Sequence, residues 1–451
     1  MSKHLRLWNG ECLSNIHIEV DRNGPQIADT LFETCRELFP LNRSVSSPDN
    51  LRTLKILGEI AGDIEIKEFA ANQKVAGWRV PRRWHLVRAK VTGPDGNLVI
   101  DSDKSNLHVF SHSDSCDRIM SRQELEKHLV SDPDNPEAIP YRTNYYGEGW
   151  GLCMAHRDRK NLRDGDYHVE IDAHFTEEGM PYGEIFIPGE SKKEILLSTY
   201  ICHPSMASNE LSGPVIAAYL AKLLHAKKMR FSYRILFMSE TIGAICYINE
   251  NLDNLRANLF SGYVLTCLGD TNGHSLIEGI NPDCKSAYFV KSAMRHMGSA
   301  NCNIYSFSHR GSDERQYCSP NVNLPVVTLC NTKFGQYPEY HSSLDNMEYV
   351  SRDGLFKGLS FVARVIDQAE NDVVFESTTV GEPFLSAFGL YPKVGSLSKV
   401  DTNAKRILDC IALCDGHRPA GLIAEKLGIP VDQVVEILIQ LDGHGIVRPV
   451  I

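Results

Sequence analysis

The chain reads as an α/β protein: a buried sheet with helices packed on it, a strand-rich segment before it, and a winged helix at the C-terminal end. Three observations predict this. From about residue 193, apolar strands alternate with amphipathic helices. Between about residues 78 and 186 the chain is instead a succession of short alternating runs and turn residues. After a loop rich in Gly, Pro and Ser at 380–399, the pattern becomes helix, turn, helix and short hairpin.

Taken in chain order, Ile27, Leu31, Cys35 and Leu38 recur at helical spacing, FPLNRSVSSPDN interrupts them, and LRTLKILGEIAG resumes the helix. WRVPRRWHLVRAKVTGPDGNLVIDS predicts strands joined by a turn at Pro94-Asp95-Gly96. The same texture continues through NLHVFSH, IPYRTNYYGEGWGLCMAH and YHVEIDAHFTEEGMPYGEIFI. EILLSTYICHP then predicts a buried strand that ends in a loop, and LSGPVIAAYLAKLLHAKK a helix with Val215, Ala218, Leu220 and Leu223 as its apolar positions. YRILFMSE, TIGAICYINENL and SGYVLTCLGD predict strand, helix and strand, and PVVTLC and a helix near 355–370 complete the unit. NAKRILDCIALC and AGLIAEKLGIPVDQVVEILIQLDGHGIVRPVI supply the winged helix.

Length and composition bound the function. A chain of 451 residues is too long for one ordinary core, so two or three domains are expected. Its 47 Lys and Arg stand against 57 Asp and Glu, a net charge of −10 that argues against a nucleic-acid footprint over the whole chain. Residues 401–451 hold five basic and seven acidic residues. A DNA-reading winged helix needs a basic face, so a structural or dimerisation role is preferred and a homo-oligomer is allowed. Thirteen cysteines, an odd number without a C-x-x-C pair, predict reduced, buried thiols and a cytoplasmic protein. MSKHLRLWNGECLSN lacks the apolar core of a secretion signal, and no apolar run of membrane-spanning length exists.

In an open α/β sheet, ligands gather beyond the carboxyl ends of the strands. Here those ends carry polar residues. ILLSTYI runs into His203, RILFM into Glu240, GYVLTCL into Asp270, and PVVTLC into a loop that ends with His341 and Asp345. Two imidazoles and several carboxylates on one rim suit zinc, which takes neutral His and carboxylate ligands and keeps a position for water. Asp345, four residues after His341, is expected to orient that ring.

STYICHPSMASNELSGP, SETIGAICYI, RGSDERQYCSP and EYHSSLDN resemble a bacterial family of aminopeptidase-like proteins, as do GWRVPRRWHL, NLHVFSHS and IPYRTNYYGEGWGLC. The resemblance covers almost the whole chain. It implies a zinc-exopeptidase-like mixed sheet flanked by helices over 20–70 and 187–375, a β-rich domain inserted at 71–186, and a winged helix at 376–451. The wider relatives are co-catalytic zinc aminopeptidases and glutaminyl cyclases. Their metal pattern places the first His on His203, the bridging Asp on Asn209 with Glu210 beside it, the general base on Glu240, the second-metal ligand on Thr241, the strand Asp near Thr266, and the last His on His341.

Neutral Asn and Thr cannot offset the repulsion of two divalent ions, so one zinc rather than two is expected. Its ligands would be His203, Glu210 and His341, with Asp313 in reserve. The resemblance thus implies hydrolysis of an amide or peptide bond, a zinc-activated water giving its proton to Glu240. Asp313 or Glu314 would hold a substrate amino group. Tyr145, Tyr146 and Trp150 form either an aromatic wall over the cleft or the β-domain core. The alternative is a non-peptidase of the same fold, acting on an amino-sugar or carrier-linked intermediate, or a binding protein.

Overall fold

A computed structural model describes residues 14–298, 301–390 and 402–450. The initial MSKHLRLWNGECL and the part of the predicted linker from 391 on lie outside the described residues. Three helices, α1 (Ile16–Arg22), α2 (Gly24–Leu38) and α3 (Pro48–Ala61), lead into strand β1 (Glu65–Phe69). The chain returns to the same sheet with β2 (Met180–Ile187), β3 (Glu194–Tyr200), helix α4 (Ser212–His225), β4 (Ser232–Met238), α5 (Ile242–Asn258) and β5 (Leu259–Leu265). β6 (His274–Ile277), α6 (Lys285–Met297), β7 (Cys302–Tyr305), β8 (Val326–Cys330) and α7 (Arg352–Asn371) complete the unit.

The eight strands form one mixed sheet in the order β1-β2-β4-β3-β5-β8-β6-β7. β4, β3, β5 and β8 run parallel at its centre, and β2 and β6 flank them antiparallel. Every residue of β3 is buried, as expected for a central parallel strand covered on both faces. Its side chains alternate between two cores. Ile195 and Leu197 join the core of α2, α3, α4 and α7, while Leu196 and Tyr200 join the one under α5.

The inserted domain is a four-stranded antiparallel sheet of Arg83–Thr92, Leu98–Asp101, Cys116–Ser121 and Asp166–Thr176, with its own core around Trp84, Val91, Val169 and Ile171. The turn predicted at Pro94-Asp95-Gly96 joins the first two strands, with Gly96 N–H donating to Gly93 O. Two readings need correction. MPYGEIFI, placed in the insert by its texture, is β2 of the main sheet, because alternation reports a strand and not its pairing partner. IPYRTNYYGEGWGLCMAH is mostly irregular, with one two-residue strand at Leu152–Cys153.

The C-terminal unit is a winged helix, but its final strand makes no local hairpin. Val447–Pro449 pairs with Val374–Ser377, whose other edge takes Asp415–Pro419. The unit therefore starts just before residue 376. Its last helix, Val431–Gly443, carries Asp432, Glu436 and Asp442 and no Lys or Arg. Among the described residues no helix is long and apolar enough to cross a membrane.

At the start of α4, Gly213 brings that helix onto the sheet so closely that a Cβ would lie 2.2 Å from the Leu265 carbonyl oxygen and 2.7 Å from Thr199 Oγ1. Backbone cannot yield as a flexible side chain can. Gly213→Ala should therefore lower stability by roughly 2–3 kcal/mol in urea unfolding; a near-parental transition would show that the helix is free to move.

Candidate active site

Four loops at the carboxyl end of the parallel strands build the site, and each contains a strained residue. Ser205, Thr241, Cys267 and His341 have φ of 47°, 64°, 51° and 55°, half of the eight left-handed non-glycine residues among those described. Such conformations cost about 1–3 kcal/mol each and cluster at functional sites. At Thr241 the chain makes a γ-turn, with ψ −71° and Ile242 N–H donating to Glu240 O at 2.7 Å. This turn lifts Glu240 off the end of β4 toward His203.

His203 follows β3 and is 5% exposed. Glu210, on the π-helical turn Ala207–Leu211, spends both carboxylate oxygens on it: Oε1 accepts from the His203 backbone N–H and Oε2 meets Nδ1, both at 2.8 Å. Cys202 Sγ lies 3.3 Å from the same nitrogen. Cys202, His203 and Glu210 thus form a buried cluster with donor spacing that a metal could use. A metal on this edge would have to displace the Glu210 hydrogen bonds. The opposite edge is more open: Nε2 faces Glu240 Oε2 at 3.8 Å. Burial works against a charged His203, but Cys202 and Glu210 outweigh it and raise the ring well above the usual imidazole range. The thiol itself is pushed up to about 12 by burial, so at neutral pH the charge responsible is that of Glu210.

His341 arrives from the loop after β8. Its ring centroid lies 5.2 Å from that of His203, and Tyr340 stacks on it at 3.9 Å. Nε2 of His341 is buried without a hydrogen-bond partner. Burial, reinforced by the positive His203 nearby, pushes its pKa down to about 3, so the ring is neutral. The inserted domain holds both histidine loops. Tyr141 N–H donates to His341 O at 3.1 Å, and Ile139 N–H to Ser343 Oγ at 2.9 Å. On the other side Asn106 donates to Ser205 Oγ at 2.9 Å. The Tyr141 ring lies against both imidazoles, at 5.1 and 5.6 Å.

Glu240 has a carboxyl raised to about 7 by burial, with His203 and Arg315 pulling it down. Asp313 is fully buried and its pKa is also raised, by burial and by the neighbouring Glu240. Its Oδ1 accepts from Thr241 N–H at 2.7 Å, and Oδ2 has no partner. Thr241 itself accepts from Arg315 Nη2 at 2.5 Å. A guanidinium therefore contacts the residue expected from the resemblance at the second-metal position.

Other expected residues have different work. Asp345 does not orient His341. It accepts from the backbone N–H of Ser208 at 2.6 Å and of Asn209 at 2.9 Å, capping the turn before α4. Glu314 faces no substrate: it is fully buried and accepts from Gly311, Ser312 and Thr328. Asp270 is held by Asn272 and Thr332. Asn209 donates toward Tyr200, Thr266 and Cys267, and its buried Oδ1 has no partner. Tyr146 is half exposed and bonds the Arg79 carbonyl, and Trp150 stacks on His128 within the insert. The aromatic wall over the imidazoles is Tyr141, with Tyr145 behind it at 3.0 Å between the hydroxyls. Tyr141, Cys202 and Arg315 were not singled out in the sequence, and no spacing rule marks them.

The chain has known relatives. Residues 32–372 match a family described as a domain of unknown function (DUF4910), and residues 373–449 match a winged helix-turn-helix. A Clostridium acetobutylicum protein, provisionally named as a polysaccharide biosynthesis protein with an aminopeptidase-like domain, is 35% identical over 409 residues, 90% of this chain and 93% of its own. A crystal structure from the same organism, provisionally described as a peptidase, superposes with a TM-score of 0.79 at 32% identity, covering 96% of this chain and 100% of that one. BSAP, a zinc aminopeptidase from Bacillus subtilis, has a TM-score of 0.55 at 13% identity over 76% of this chain and 94% of its own, a likeness of fold. The expected zinc-exopeptidase-like α/β fold is the one observed, and the chain belongs to the aminopeptidase-like DUF4910 family, with a winged helix-turn-helix at its C-terminal end.

Proposed function

We propose that the chain hydrolyses an amide or peptide bond with one zinc ion held between His203 and His341 and with Glu240 as general base. The observation that carries this reading is the pair of facing imidazoles: Nε2 of His341 is buried, neutral and unpartnered, and Nε2 of His203 is turned toward Glu240. Zinc takes two imidazoles and a carboxylate, once His203 has given up its Nε2 proton; among the described residues only Cys202, His203 and Glu210 have ligand atoms all within 4.8 Å of one another, so His203, His341 and Asp313 would have to close in around the ion. Asp313, with its unpartnered Oδ2, is the carboxylate ligand in this reading. Burial and the neighbouring Glu240 raise the Asp313 carboxyl, and a cation beside it would favour its charged form. Glu210 is assigned a positioning role in place of the ligand role expected for it, because its oxygens hold His203 from the far side of the ring.

Zinc supplies Lewis acidity toward a bound carbonyl and makes water a better acid. Glu240, poised near neutrality, can accept a proton and return it to a leaving amine. Arg315 against Thr241 opposes a second cation, which supports one zinc over two. The described cysteines other than Cys302 are free and buried, which supports a reducing, cytoplasmic setting. A small peptide-like or amide substrate follows from this chemistry, and the acidic last helix supports a structural or dimerisation role for the winged helix.

A second reading has its own support. Asn209 and Thr266 stand where two metal-binding carboxylates would be in the wider relatives, and the Clostridium relative is named for polysaccharide biosynthesis. The amide cleaved would then belong to an amino-sugar or carrier-linked intermediate. Turnover of aminoacyl-arylamides by purified protein, with and without zinc, against release of acetate from N-acetylated amino-sugars, separates the two.

Metal analysis of protein purified without chelator should find about one zinc per chain, and none in His341→Ala; two per chain would overturn the single-ion site. Glu240→Gln should keep its zinc and lose about 10²–10⁴-fold in turnover, and unchanged turnover would remove it from the mechanism. Glu210→Gln should weaken zinc binding about 10–100-fold through the His203 ring. Equal affinity in that variant would exclude its positioning role.

A further inference from the structure

At the opposite end of the sheet from the histidine loops lies a cavity of about 420 Å³. It sits at the amino ends of β5 and β8, beside Leu259 and Pro325. The last turn of α5, the start of α6 and the winged-helix strand Asp415–Pro419 converge there. The cavity shares no residue with the zinc reading and does not depend on it.

Lys285, the first residue of α6, is the informative one. It is 8% exposed, and its ammonium lies 4.2 Å from the centre of the Phe260 ring. An ammonium carries three donors, and these have no hydrogen-bond or ion-pair acceptor among the described residues. The nitrogen is nonetheless not enclosed. The enclosed, unpartnered nitrogens of basic chains belong, among the described residues, to Arg43, Arg83, Arg88, Arg230 and Arg315. Lys285 Nζ instead opens on the cavity that its residue lines. An apolar side chain would cover Phe260 without burying a charge, and an unpaired buried charge is costly. Burial, with Lys193 nearby, pushes the Lys285 pKa down to about 8 against an opposing pull from Asp415.

The rest of the lining selects the sign of the occupant. Its two acids are already engaged. Asp283 Oδ2 pairs with Lys426 at 2.7 Å, and Asp415 Oδ2 with Arg418 at 2.8 Å. Asp415 Oδ1 accepts from the backbone N–H of His417 and Arg418. Arg256 is exposed and donates to the Asn321 carbonyl, but it has no ion pair with any described residue. Lys193, close enough to depress the Lys285 pKa, donates to Ala257 O at 2.9 Å and likewise lacks an acid among the described residues. Three neighbouring cations are thus left without a carboxylate. The positive end of the thirteen-residue α6 adds to their field, and Cys284, where a cap would stand, offers only a thiol. Leu255, Ile280 and Leu324 make part of the wall apolar. The volume falls within the roughly 300–1,000 Å³ of small-molecule sites, which leaves room for a body beyond the charged group.

We propose that this cavity binds a small molecule carrying a phosphate or carboxylate group, held by Lys285 and Arg256 between the winged helix and the main unit. Isothermal titration calorimetry of the full chain with phenyl phosphate, benzoate and uncharged benzyl alcohol tests it. At least one of the two anions should bind and the alcohol should not. The tighter anion tells whether phosphate or carboxylate is the group recognised. Binding should persist in His341→Ala, so that an anion held at the histidine pair is not mistaken for one here. Lys285→Met keeps the cover over Phe260 and removes the charge. It should weaken the anion at least about tenfold, the size of one lost hydrogen bond to a charged group, and melt no lower than the parent. Arg256→Gln, at an exposed position, should also weaken the anion and guards against misfolding as the cause. No binding of either anion, alcohol that binds as tightly, loss of binding in His341→Ala, binding that survives both substitutions, or a lower melting temperature for Lys285→Met would overturn it.

Discussion

The clasp between Glu210 and His203 sets the geometry on which the rest of the site depends. One fully buried carboxylate takes both the backbone N–H and the Nδ1 edge of the same histidine. That leaves the ring one direction for Nε2, toward Glu240 and His341. It also fixes where charge can sit. Burial alone would make His203 neutral, yet Cys202 and Glu210 beside it hold the ring in its charged form. An uncompensated ion in this position would be strongly destabilising. The buried Arg43, whose charge is felt by Glu210 and Cys202, extends the same balance toward the N-terminal helices.

A clasp fixes one ring but cannot bring the second to it. His341 sits on a long loop that would otherwise be free to swing, and the inserted domain prevents this. Ile139 and Tyr141 bond to that loop as a short added strand, while Asn106 reaches the loop of His203. The insert is thus anchored to both halves of the site at once. Its chain enters and leaves through adjacent, antiparallel strands of the main sheet, β1 and β2, so both of its ends are held by the same scaffold. Rigid support of this kind is what keeps two imidazoles, far apart in sequence, at one separation.

Much of this was legible in the residues. The central strands announced themselves because a strand covered on both faces needs an unbroken apolar run, as in EILLSTY and YRILFM. Strand ends carrying His203, Glu240 and His341 followed from the fold class alone. What the sequence could not show was pairing and direction. β6 and β7 are four residues each and look like loop. MPYGEIFI has the texture of its neighbours in the insert but hydrogen-bonds elsewhere. The roles of Glu210, Asp313, Glu314 and Asp345 are decided by which N–H groups reach each carboxylate, and backbone donors leave no trace in spacing. Tyr141 was missed for the same reason, since its place over the imidazoles comes from the backbone bond of its own residue to His341.

A pair of phenols joins the core of the insert to the imidazole pair. Tyr141 faces the imidazoles, Tyr145 faces His112, and their hydroxyls meet at 3.0 Å. Both phenols are raised far above the ordinary tyrosine range by burial, so neither carries charge. What they can transmit is position. Trp84 and His112 pack in turn against the Tyr145 ring, and the hydroxyl contact ties that ring to the one lying over His203 and His341. The core of the insert is in this way coupled to the ring that covers both imidazoles, so the insert braces the histidine pair from a second side as well as through the backbone of its loops.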